Sequence, residues 1–194
     1  MHQSGRILRT IHLNGDPLSR NQLPSAPESC TDSVRKRIPS AGGIMNGRIE
    51  ALWKKRSRGG VMDPVEHVSA VADRGLEGDA NFNATRQVTV IEKEVFEEIK
   101  ESLPESAPGM RRANIMVSGI QLRHMKNHVL IVGEAHILLK GETRPCERMD
   151  EQCQGLRDAL DPDWHGGVHG TVIKGGSIRV GDVATLERPS PVSS

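Results

Sequence analysis

The sequence predicts a mostly β fold: a distorted, largely antiparallel β-barrel with two or three short helices inserted in its connections. About seven or eight short segments carry strand patterns, many of them alternating apolar and polar residues. The 20 glycines and 11 prolines favour short elements joined by turns. Strands do not alternate regularly with helices, which argues against a doubly wound parallel sheet. A barrel closed by turns and short helices therefore fits best.

Composition narrows the class of protein. The 194 residues suggest one domain, and the formal net charge of +1 gives no reason to expect a nucleic-acid or membrane surface. No apolar run reaches the roughly 18 residues of a membrane span, and the start has no signal-peptide core. We therefore expect a soluble, cytoplasmic protein without nucleic-acid or membrane partners. Three cysteines are too few, and an odd number, for a disulfide framework, which leaves thiol chemistry open.

The chain is predicted to have three parts. Residues 1–44 are polar, turn-rich and without period, which indicates an irregular, disordered extension in which Cys30 has no role. An organellar presequence is a weaker alternative, because the extension also carries acidic residues. Met45 offers an alternative start, and the folded domain is predicted at 45–188. Residues 189–194 are expected to form a loose tail.

The first half of the domain is predicted to contain strands followed by a helix. Alternation predicts strands at Gly47–Trp53 and Val65–Val71, and a β-branched run predicts another at Gln87–Ile91. The next segment places apolar residues on one helical face, which predicts a helix over Glu92–Ser102. Pro104 ends that pattern.

The second half returns to strands. Apolar runs predict strands at Ile115–Gly119, Val129–Val132, Ala135–Leu139 and Val183–Leu186. One short helix is predicted over Glu151–Leu160. The segment Trp164–Gly170 is too rich in glycine for a regular element. The Gly175-Gly176 pair then predicts a tight hairpin between Thr171–Lys174 and Ser177–Val180.

Cys146 is the candidate reactive residue. It follows Pro145 at a predicted strand exit, with Arg144 and Arg148 two residues to either side. Nearby cations lower the pKa of a thiol, and a thiolate binds soft metals or attacks electrophiles. On local sequence alone, a buried or incidental cysteine explains the position equally well. Cys153 lies on the predicted helix and is interpreted as structural, because the spacing of the two cysteines matches neither a zinc ribbon nor a redox pair.

Three arginines stand at predicted strand entries. Arg86 precedes Gln87, and Arg111 and Arg112 precede Asn114. The guanidinium fork suits phosphate or a planar heterocycle, so the three arginines at one barrel rim would make an anion pocket. Each of them alone is as well explained by a solvated surface. Asn114 is interpreted either as a partner for a heterocycle edge or as a residue that shapes the strand start.

The segment His165-Gly166-Gly167-Val168-His169-Gly170 is a second candidate. Glycines let the backbone approach a ligand and present N–H groups to anions, and histidines can shuttle protons near neutral pH. The H-x3-H spacing is that of a helical metal pair. Because the glycines disfavour a helix, we do not predict a zinc site here.

In their order along the chain, these segments resemble the MOSC domain. The resemblance rests on Gly78-Asp79, on Arg86-Gln87-Val88 and on three longer stretches, R-R-A-N-I-M-V-S-G-I, V-G-E-A-H-I-L-L-K-G-E-T-R-P-C and H-G-G-V-H-G-T-V-I-K-G-G-S-I-R-V-G-D-V. It covers roughly residues 47–186. This domain occurs at the C-terminus of molybdenum cofactor sulfurases and as small stand-alone bacterial proteins.

The resemblance implies a mostly β, distorted barrel that binds the molybdenum cofactor (molybdopterin), a pterin dithiolene with a phosphate. The family's characteristic cysteine matches Cys146, which ligates molybdenum in the reductase branch and handles sulfur in the sulfurases. The arginine that the family directs at the cofactor matches Arg112. With it, the expected cofactor-binding set is Arg86, Arg111, Asn114, Arg144, His165, Gly166 and Gly167. Pyridoxal phosphate is not expected in this chain, because the desulfurase domain that binds it is missing.

Three functions remain open at this stage. The favoured one is a molybdenum-dependent reductase of N-hydroxylated small molecules, with Cys146 as molybdenum ligand and a separate electron donor. The alternative is a sulfur-carrier or cofactor-delivery module that receives sulfur on Cys146 from a separate cysteine desulfurase. The third is a barrel-type interaction module in which the cysteine is inert.

Overall fold

The structure is a computed structural model that describes residues 45–188. The predictions for residues 1–44, including Cys30, and for the tail at 189–194 lie outside the described residues. The described part contains eleven strands, three α-helices and two short 3-10 helices. The strands are β1 Met45–Lys55, β2 Met62–Val65, β3 His67–Val71, β4 Gly75–Leu76, β5 Val88–Glu92, β6 Ile115–Ser118, β7 Val129–Val132, β8 Ala135–Glu142, β9 Val168–Lys174, β10 Gly176–Arg179 and β11 Val183–Glu187. The helices are α1 Lys93–Ser102, α2 Arg148–Gln152 and α3 Leu156–Leu160, and the 3-10 helices are Pro108–Arg111 and Pro162–Trp164.

Seven of the described strands close a barrel in the order β1, β6, β5, β9, β8, β7 and β11, and pairing of β11 with β1 completes the ring. All of these pairings are antiparallel except β5 with β6. The strand β2 extends the sheet beyond β1, and β10, β3 and β4 form a separate small sheet. The predicted mostly β, largely antiparallel barrel is confirmed.

Aliphatic side chains fill the barrel. Inward positions along β7 and β8 alternate with half-buried ones, as the pleat requires. The main core cluster holds no buried aromatic residue, and its fully buried members include Leu130, Ile137, Leu139, Val172 and Ala184. Each buried Val, Leu or Ile stabilises the fold by about 1.5–3 kcal/mol relative to an exposed one. The scarcity of aromatics in the sequence is therefore compensated by many small aliphatic contacts.

The helices lie outside this barrel core. Phe96 and Ile99 are the buried residues of α1, as the predicted helical face requires. The single helix predicted over Glu151–Leu160 is wrong, because the chain forms α2 and α3 instead. Asp150 Oδ1 accepts hydrogen bonds from the backbone N–H groups of Gly155 (3.1 Å) and Arg157 (3.0 Å), which stabilises the break between them. No helix between residues 45 and 188 is long and apolar enough to cross a membrane.

The strand pairing in the structure corrects three of the predictions. The run predicted as one strand at Val65–Val71 is divided between β2, which pairs with β1, and β3, which pairs with β10. The hairpin predicted around Gly175-Gly176 is wrong, because β9 pairs with β5 and β8 while β10 pairs with β3. The segment predicted to be irregular at Trp164–Gly170 enters β9 at Val168. In each case long-range partners decide the outcome, and local pattern does not encode them.

Candidate functional site

One cavity of about 460 Å³ collects most of the candidate residues, and we call it the central cavity. Its lining comes from the end of β1, the segments before β5 and β6, and the segment after β8, together with the first turns of α2. These strands are close in the barrel order, which brings distant parts of the sequence together. The lining residues are Lys55, Arg58, Gly59, Asn81, Ala84, Arg86, Thr89, Arg111, Arg112, Thr143, Arg144, Cys146, Arg148 and Met149.

The central cavity is strongly cationic. Seven of these residues are Lys or Arg, and no Asp or Glu is among them. Over the full chain, positive and negative residues nearly balance, at 26 and 25. A concave surface lined by one sign of charge focuses the field and attracts ligands of the opposite sign. The geometry therefore favours an anionic ligand.

Arg111 joins the segment that carries Cys146 to the glycine-rich segment. The Arg111 side chain is only 4 % exposed. Its Nε donates to the Gly166 carbonyl oxygen at 2.8 Å, and its Nη2 donates to the carbonyl oxygens of Thr143 at 3.0 Å and of Gly166. Burial lowers the pKa of Arg111 to about 10, while Cys146 nearby favours the charged form and Arg86 opposes it. Arg111 is thus a cation at neutral pH, and it lines the same cavity as Cys146.

Two more residues of the lining, Lys55 and Thr143, are buried. Lys55 is 8 % exposed. Burial lowers the pKa of Lys55, Asp79 opposes that shift, and Arg112, Arg111 and Arg86 add to it. Thr143 is 3 % exposed, and its Oγ1 has no partner. An unsatisfied buried polar group costs about 1–3 kcal/mol, so the Thr143 hydroxyl points to a ligand that would satisfy it.

Cys146 is an exposed, free thiol in the lining. Its carbonyl oxygen accepts a hydrogen bond from the Met149 N–H at 2.9 Å, which leads the chain into α2. Cys153 is half-buried at the end of α2, packs against the cluster of Ile99, Met149 and Leu156, and does not line the central cavity. The structure therefore separates the two thiols into a cavity position and a packing position.

Five of the residues singled out from the sequence lie together in the lining: Arg86, Arg111, Arg112, Arg144 and Cys146. Arg112 ends the 3-10 helix in the left-handed region, with φ of 62°. Its Nη1 donates to the carbonyl oxygens of Gly59, at 3.3 Å, and of Gly60. These contacts fix Arg112 against the turn between β1 and β2. The other four predicted residues do not line the central cavity; they are Asn114, His165, Gly166 and Gly167.

Asn114 lies beneath the lining and is fully buried. Its Oδ1 accepts from the Thr89 N–H (3.1 Å) and hydroxyl (3.0 Å). Its Nδ2 donates to Asp79 Oδ2 at 2.8 Å and to the Trp53 carbonyl oxygen at 3.2 Å. With these bonds made, the side chain shapes the strand start, the second of the two interpretations above.

The glycine-rich segment lies behind the cavity wall. A Cβ on Gly166 would collide with the Thr143 carbonyl oxygen, and one on Gly167, whose φ is +79°, would collide with that of Val90. The glycines therefore permit close backbone packing, and the Gly166 carbonyl oxygen holds Arg111. The ring Nδ1 of His165 lies 3.3 Å from the Ala159 carbonyl oxygen. Burial lowers the pKa of His169, and Arg86 lowers it further.

The sequence pattern missed five polar residues of the lining: Lys55, Arg58, Asn81, Thr89 and Thr143. Lys55 and Arg58 belong to the basic run K-K-R-S-R-G-G, which the pattern indicated only as a polar strand exit. The signal that could have found them is a basic run ending in two glycines next to a strand end. Asn81 and Thr143 carried no local signal. In the described part of the chain, no group of three or more His, Cys, Asp or Glu residues is placed to hold a metal ion.

Comparison with known proteins gives one family and several related folds. Residues 77–185 match the model of the MOSC domain. The structure is similar to the crystal structure of the YuaD protein from Bacillus subtilis, with a TM-score of 0.67 and 20 % identity over 76 % of this chain and 99 % of that one. It is also similar to YiiM from Escherichia coli (TM-score 0.53, 20 % identity, 76 % and 72 %) and to YiiM from Geobacillus stearothermophilus (0.53, 18 %, 72 % and 72 %). Among curated proteins, none matches this chain.

Proposed function

This chain belongs to the MOSC domain family, and on that premise we propose that its central cavity binds the molybdenum cofactor with the Cys146 thiolate as a molybdenum ligand. MOSC domains are generally associated with binding of this cofactor. The observation that carries the proposal is one cavity that holds a free thiol and seven cationic side chains without a carboxylate. A thiolate is a soft ligand of the kind that soft metal centres prefer.

The lining suits the rest of the cofactor as well. The cavity volume of about 460 Å³ lies in the range of roughly 300–1,000 Å³ typical of small-molecule sites. The Lys55 ammonium group and the unpartnered Thr143 Oγ1 line the cavity and offer hydrogen bonds to the polar edge of a pterin. Arg112, anchored through Nη1, keeps further donors for a phosphate, which guanidinium groups bind with two parallel hydrogen bonds. We assign Arg112 to the phosphate and the buried donors to the pterin.

The proposed reaction is the two-electron reduction of an N-hydroxylated compound. The N–O bond breaks, the oxygen leaves as water, two protons come from solvent, and two electrons come from a separate donor. When bound, the cofactor supplies the two-electron, oxygen-transfer chemistry. The chain itself would bind and orient the cofactor: Cys146 would hold the metal, and Arg111 and the other cations of the lining would attract the negatively charged part of the ligand. A reduced, exposed thiol fits a cytoplasmic location.

Sulfur transfer is the second candidate, and the exposure of Cys146 favours it. A persulfide on a separate desulfurase could reach the exposed thiolate. Its outer sulfur would pass to the Cys146 sulfur, and the donor would leave as a thiolate, with no net oxidation. Cys153 offers no relay within the chain, because it does not line the central cavity.

Metal and pterin content of the purified protein tests the proposal. The full chain is expressed in a host that makes the cofactor, as wild type, Cys146→Ser and Cys153→Ser. We expect close to one molybdenum and one pterin in the wild type and in Cys153→Ser, and at least a tenfold loss of molybdenum in Cys146→Ser. A wild-type protein without molybdenum, or a Cys146→Ser variant that keeps it, contradicts the proposal. A gain of one sulfur atom on Cys146 after incubation with a desulfurase, seen by mass spectrometry, would instead support sulfur transfer.

A further inference from the structure

Lys55 places a primary amine in the lining of the central cavity, and the proposed function uses that amine only as a hydrogen-bond donor. Lys55 is the last residue of β1 and is buried. Its backbone N–H donates to Asp79 Oδ2 at 2.8 Å, and its carbonyl oxygen accepts from the Ala80 N–H at 2.9 Å. The Lys55 side chain therefore starts from a fixed backbone and lies in the wall of the cavity.

The surroundings of this amine favour its nucleophilic form. Burial lowers the pKa of Lys55, and the charges of Arg112, Arg111 and Arg86 lower it further, while Asp79 opposes the shift. A lysine that is desolvated beside other cations releases its proton more easily, and the neutral amine is the form that attacks a carbonyl carbon. At neutral pH Lys55 therefore keeps a larger neutral fraction than an ordinary lysine.

Two other lysines show the contrast. Lys93 donates to Glu50 Oε2 at 3.1 Å, and this hydrogen bond raises the pKa of Lys93. Lys54 does not line the central cavity, and its Nζ lies near Gly78, 3.5 Å from the position that a Cβ there would take. Burial among the arginines of the cavity thus distinguishes Lys55 from its direct neighbour in the sequence.

The cavity also selects the kind of carbonyl compound that can reach this amine. Its lining has seven cations and no carboxylate, so it attracts anions. Arg86 is an exposed residue of the lining, and its charge acts on Lys55. A guanidinium group binds a carboxylate with two parallel hydrogen bonds. A 2-oxo acid carries its carboxylate on the carbonyl carbon itself, which suits an arginine and an amine that lie close together.

Thr143 offers a partner for the oxygen of that carbonyl group. Its side chain is 3 % exposed and lines the central cavity, and its Oγ1 has no hydrogen-bond partner. Thr143 and Lys55 are linked through Arg111, which donates to the Thr143 carbonyl oxygen at 3.0 Å and acts on the charge of Lys55. A hydroxyl group can both donate to and accept from the hydroxyl of a tetrahedral adduct.

We propose that Lys55 forms a reversible imine with a small 2-oxo acid whose carboxylate binds Arg86. The neutral Lys55 Nζ attacks the carbonyl carbon, and a C–N bond forms. The Thr143 hydroxyl binds the resulting carbinolamine oxygen. The C–O bond then breaks, and the oxygen leaves as water with the two protons of the amine, so nothing is oxidised or reduced.

Reductive trapping tests this inference on the full chain from a host that cannot make the cofactor. The protein is incubated with pyruvate and sodium cyanoborohydride, and peptide mass spectrometry locates the reduced adduct. We expect at least tenfold more adduct on Lys55 than on any other lysine. Acetone, in which a methyl group replaces the carboxylate, should give at least tenfold less adduct on Lys55. Inorganic pyrophosphate should protect Lys55, because it competes for the cations of the cavity.

Matched variants separate the two roles. Lys55→Met should remove the main adduct, and Lys54→Met should keep it, because Lys54 lies outside the central cavity. Arg86→Ala should lower the yield at low pyruvate concentration at least fivefold. Arg123→Ala, which removes an exposed arginine paired with Asp163, should leave the yield unchanged.

Three outcomes overturn the inference. They are an adduct spread evenly over the lysines of the wild type, equal labelling of Lys55 by pyruvate and acetone, and labelling of Lys55 that pyrophosphate does not reduce. All three are measured on the wild-type chain, so they hold even if a variant fails to fold. Molybdenum and pterin content does not enter this test, so the imine and the proposed function can fail independently.

Discussion

At the scale of single residues, Lys55 is a buried cation in the lining of the central cavity. Burial lowers the pKa of Lys55, Arg112, Arg111 and Arg86 lower it further, and Asp79 opposes the shift. Asp79 already accepts hydrogen bonds from the backbone N–H groups of Lys55 and Asn81 and from Asn114. An incompletely paired buried charge costs free energy, so a bound anion offsets part of a cost that the empty protein carries.

The substitution Lys55→Met tests this through the pH dependence of anion binding. Because burial places the pKa of Lys55 below 10.5, the wild type should lose affinity for inorganic pyrophosphate as pH rises through that lowered pKa. Lys55→Met should bind about tenfold more weakly at neutral pH, which corresponds to about 1.4 kcal/mol, and should lack this step. A further loss near pH 10, from Arg111, should remain in both proteins. Calorimetric titration of both proteins with pyrophosphate, between pH 6 and about 10, measures these changes in affinity.

The same substitution has a defined effect on stability. Between the lowered folded pKa of Lys55 and its unfolded value of 10.5, the unfolded chain binds more protons than the folded one. The contribution of Lys55 to the free energy of unfolding therefore rises with pH through that window, and Lys55→Met removes this rise. Lys54→Met, at a neighbouring position outside the central cavity, is the control and should keep it. Identical pH profiles for wild type and Lys55→Met would contradict the assignment.

At the scale of elements, the parallel pair β5 and β6 organises the site through Asn114. Its backbone N–H donates to the Thr89 carbonyl oxygen (2.9 Å), and its side chain bonds β5 at Thr89, β1 at Trp53 and the segment after β4 at Asp79. Each of these segments also contributes a lining residue or leads directly to one. One buried amide thereby ties together the elements on which the cavity is built.

Asn114→Ala should destabilise the protein by roughly 2–4 kcal/mol. The substitution removes the side-chain acceptor of the buried Thr89 N–H and one of the two hydrogen bonds to Asp79 Oδ2, which keeps only the bond from the Lys55 N–H. Buried polar groups that lose a partner carry a cost of desolvation. Urea denaturation followed by circular dichroism measures the free energy of unfolding. Asn46→Ala is the matched control, because Asn46 accepts only an exposed hydrogen bond from Thr185 and should cost less than about 0.5 kcal/mol. An equal, small effect of both substitutions would show that Asn114 has no such role.

For the whole molecule, the main feature is a local charge that the overall composition does not reveal. The chain is nearly neutral, yet closure of the barrel places seven cations around one cavity with no carboxylate in its lining. These residues come from four separate parts of the sequence. Like charges at close range destabilise the empty protein, and an anion that binds only the folded state stabilises it by mass action.

Inorganic pyrophosphate should therefore raise the melting temperature at constant ionic strength. At a concentration one hundred times its Kd, the expected stabilisation is about 2.7 kcal/mol, measured by differential scanning calorimetry. The double variant Arg58→Ala, Arg86→Ala should lose most of the shift, because both arginines are exposed lining residues. Arg123→Ala, which removes an arginine paired with Asp163 outside the cavity, should keep it. A shift of equal size in all three proteins would mean that pyrophosphate binds elsewhere.

The fold was predictable because its signals are local. The apolar runs Val129–Val132 and Ala135–Leu139 indicated β7 and β8, and the apolar face of residues 92–102 indicated α1. The hairpin expected around Gly175-Gly176 failed because β10 pairs with β3, about a hundred residues earlier in the chain. A glycine pair identifies a turn, but it carries no information on which strand the next segment joins.

The sequence by itself determined a glycine-punctuated, aliphatic β-barrel, the MOSC family and the position of Cys146 between two arginines, because periodicity, turn residues and ordered motifs are properties of the chain. Only the tertiary structure decided which polar residues face the central cavity. It added Lys55 and Thr143 to the lining and moved Asn114 and the segment His165–Gly167 behind it. The reason is that each assignment depends on a contact between distant segments, such as Arg111 with Gly166, and no local pattern specifies such a contact.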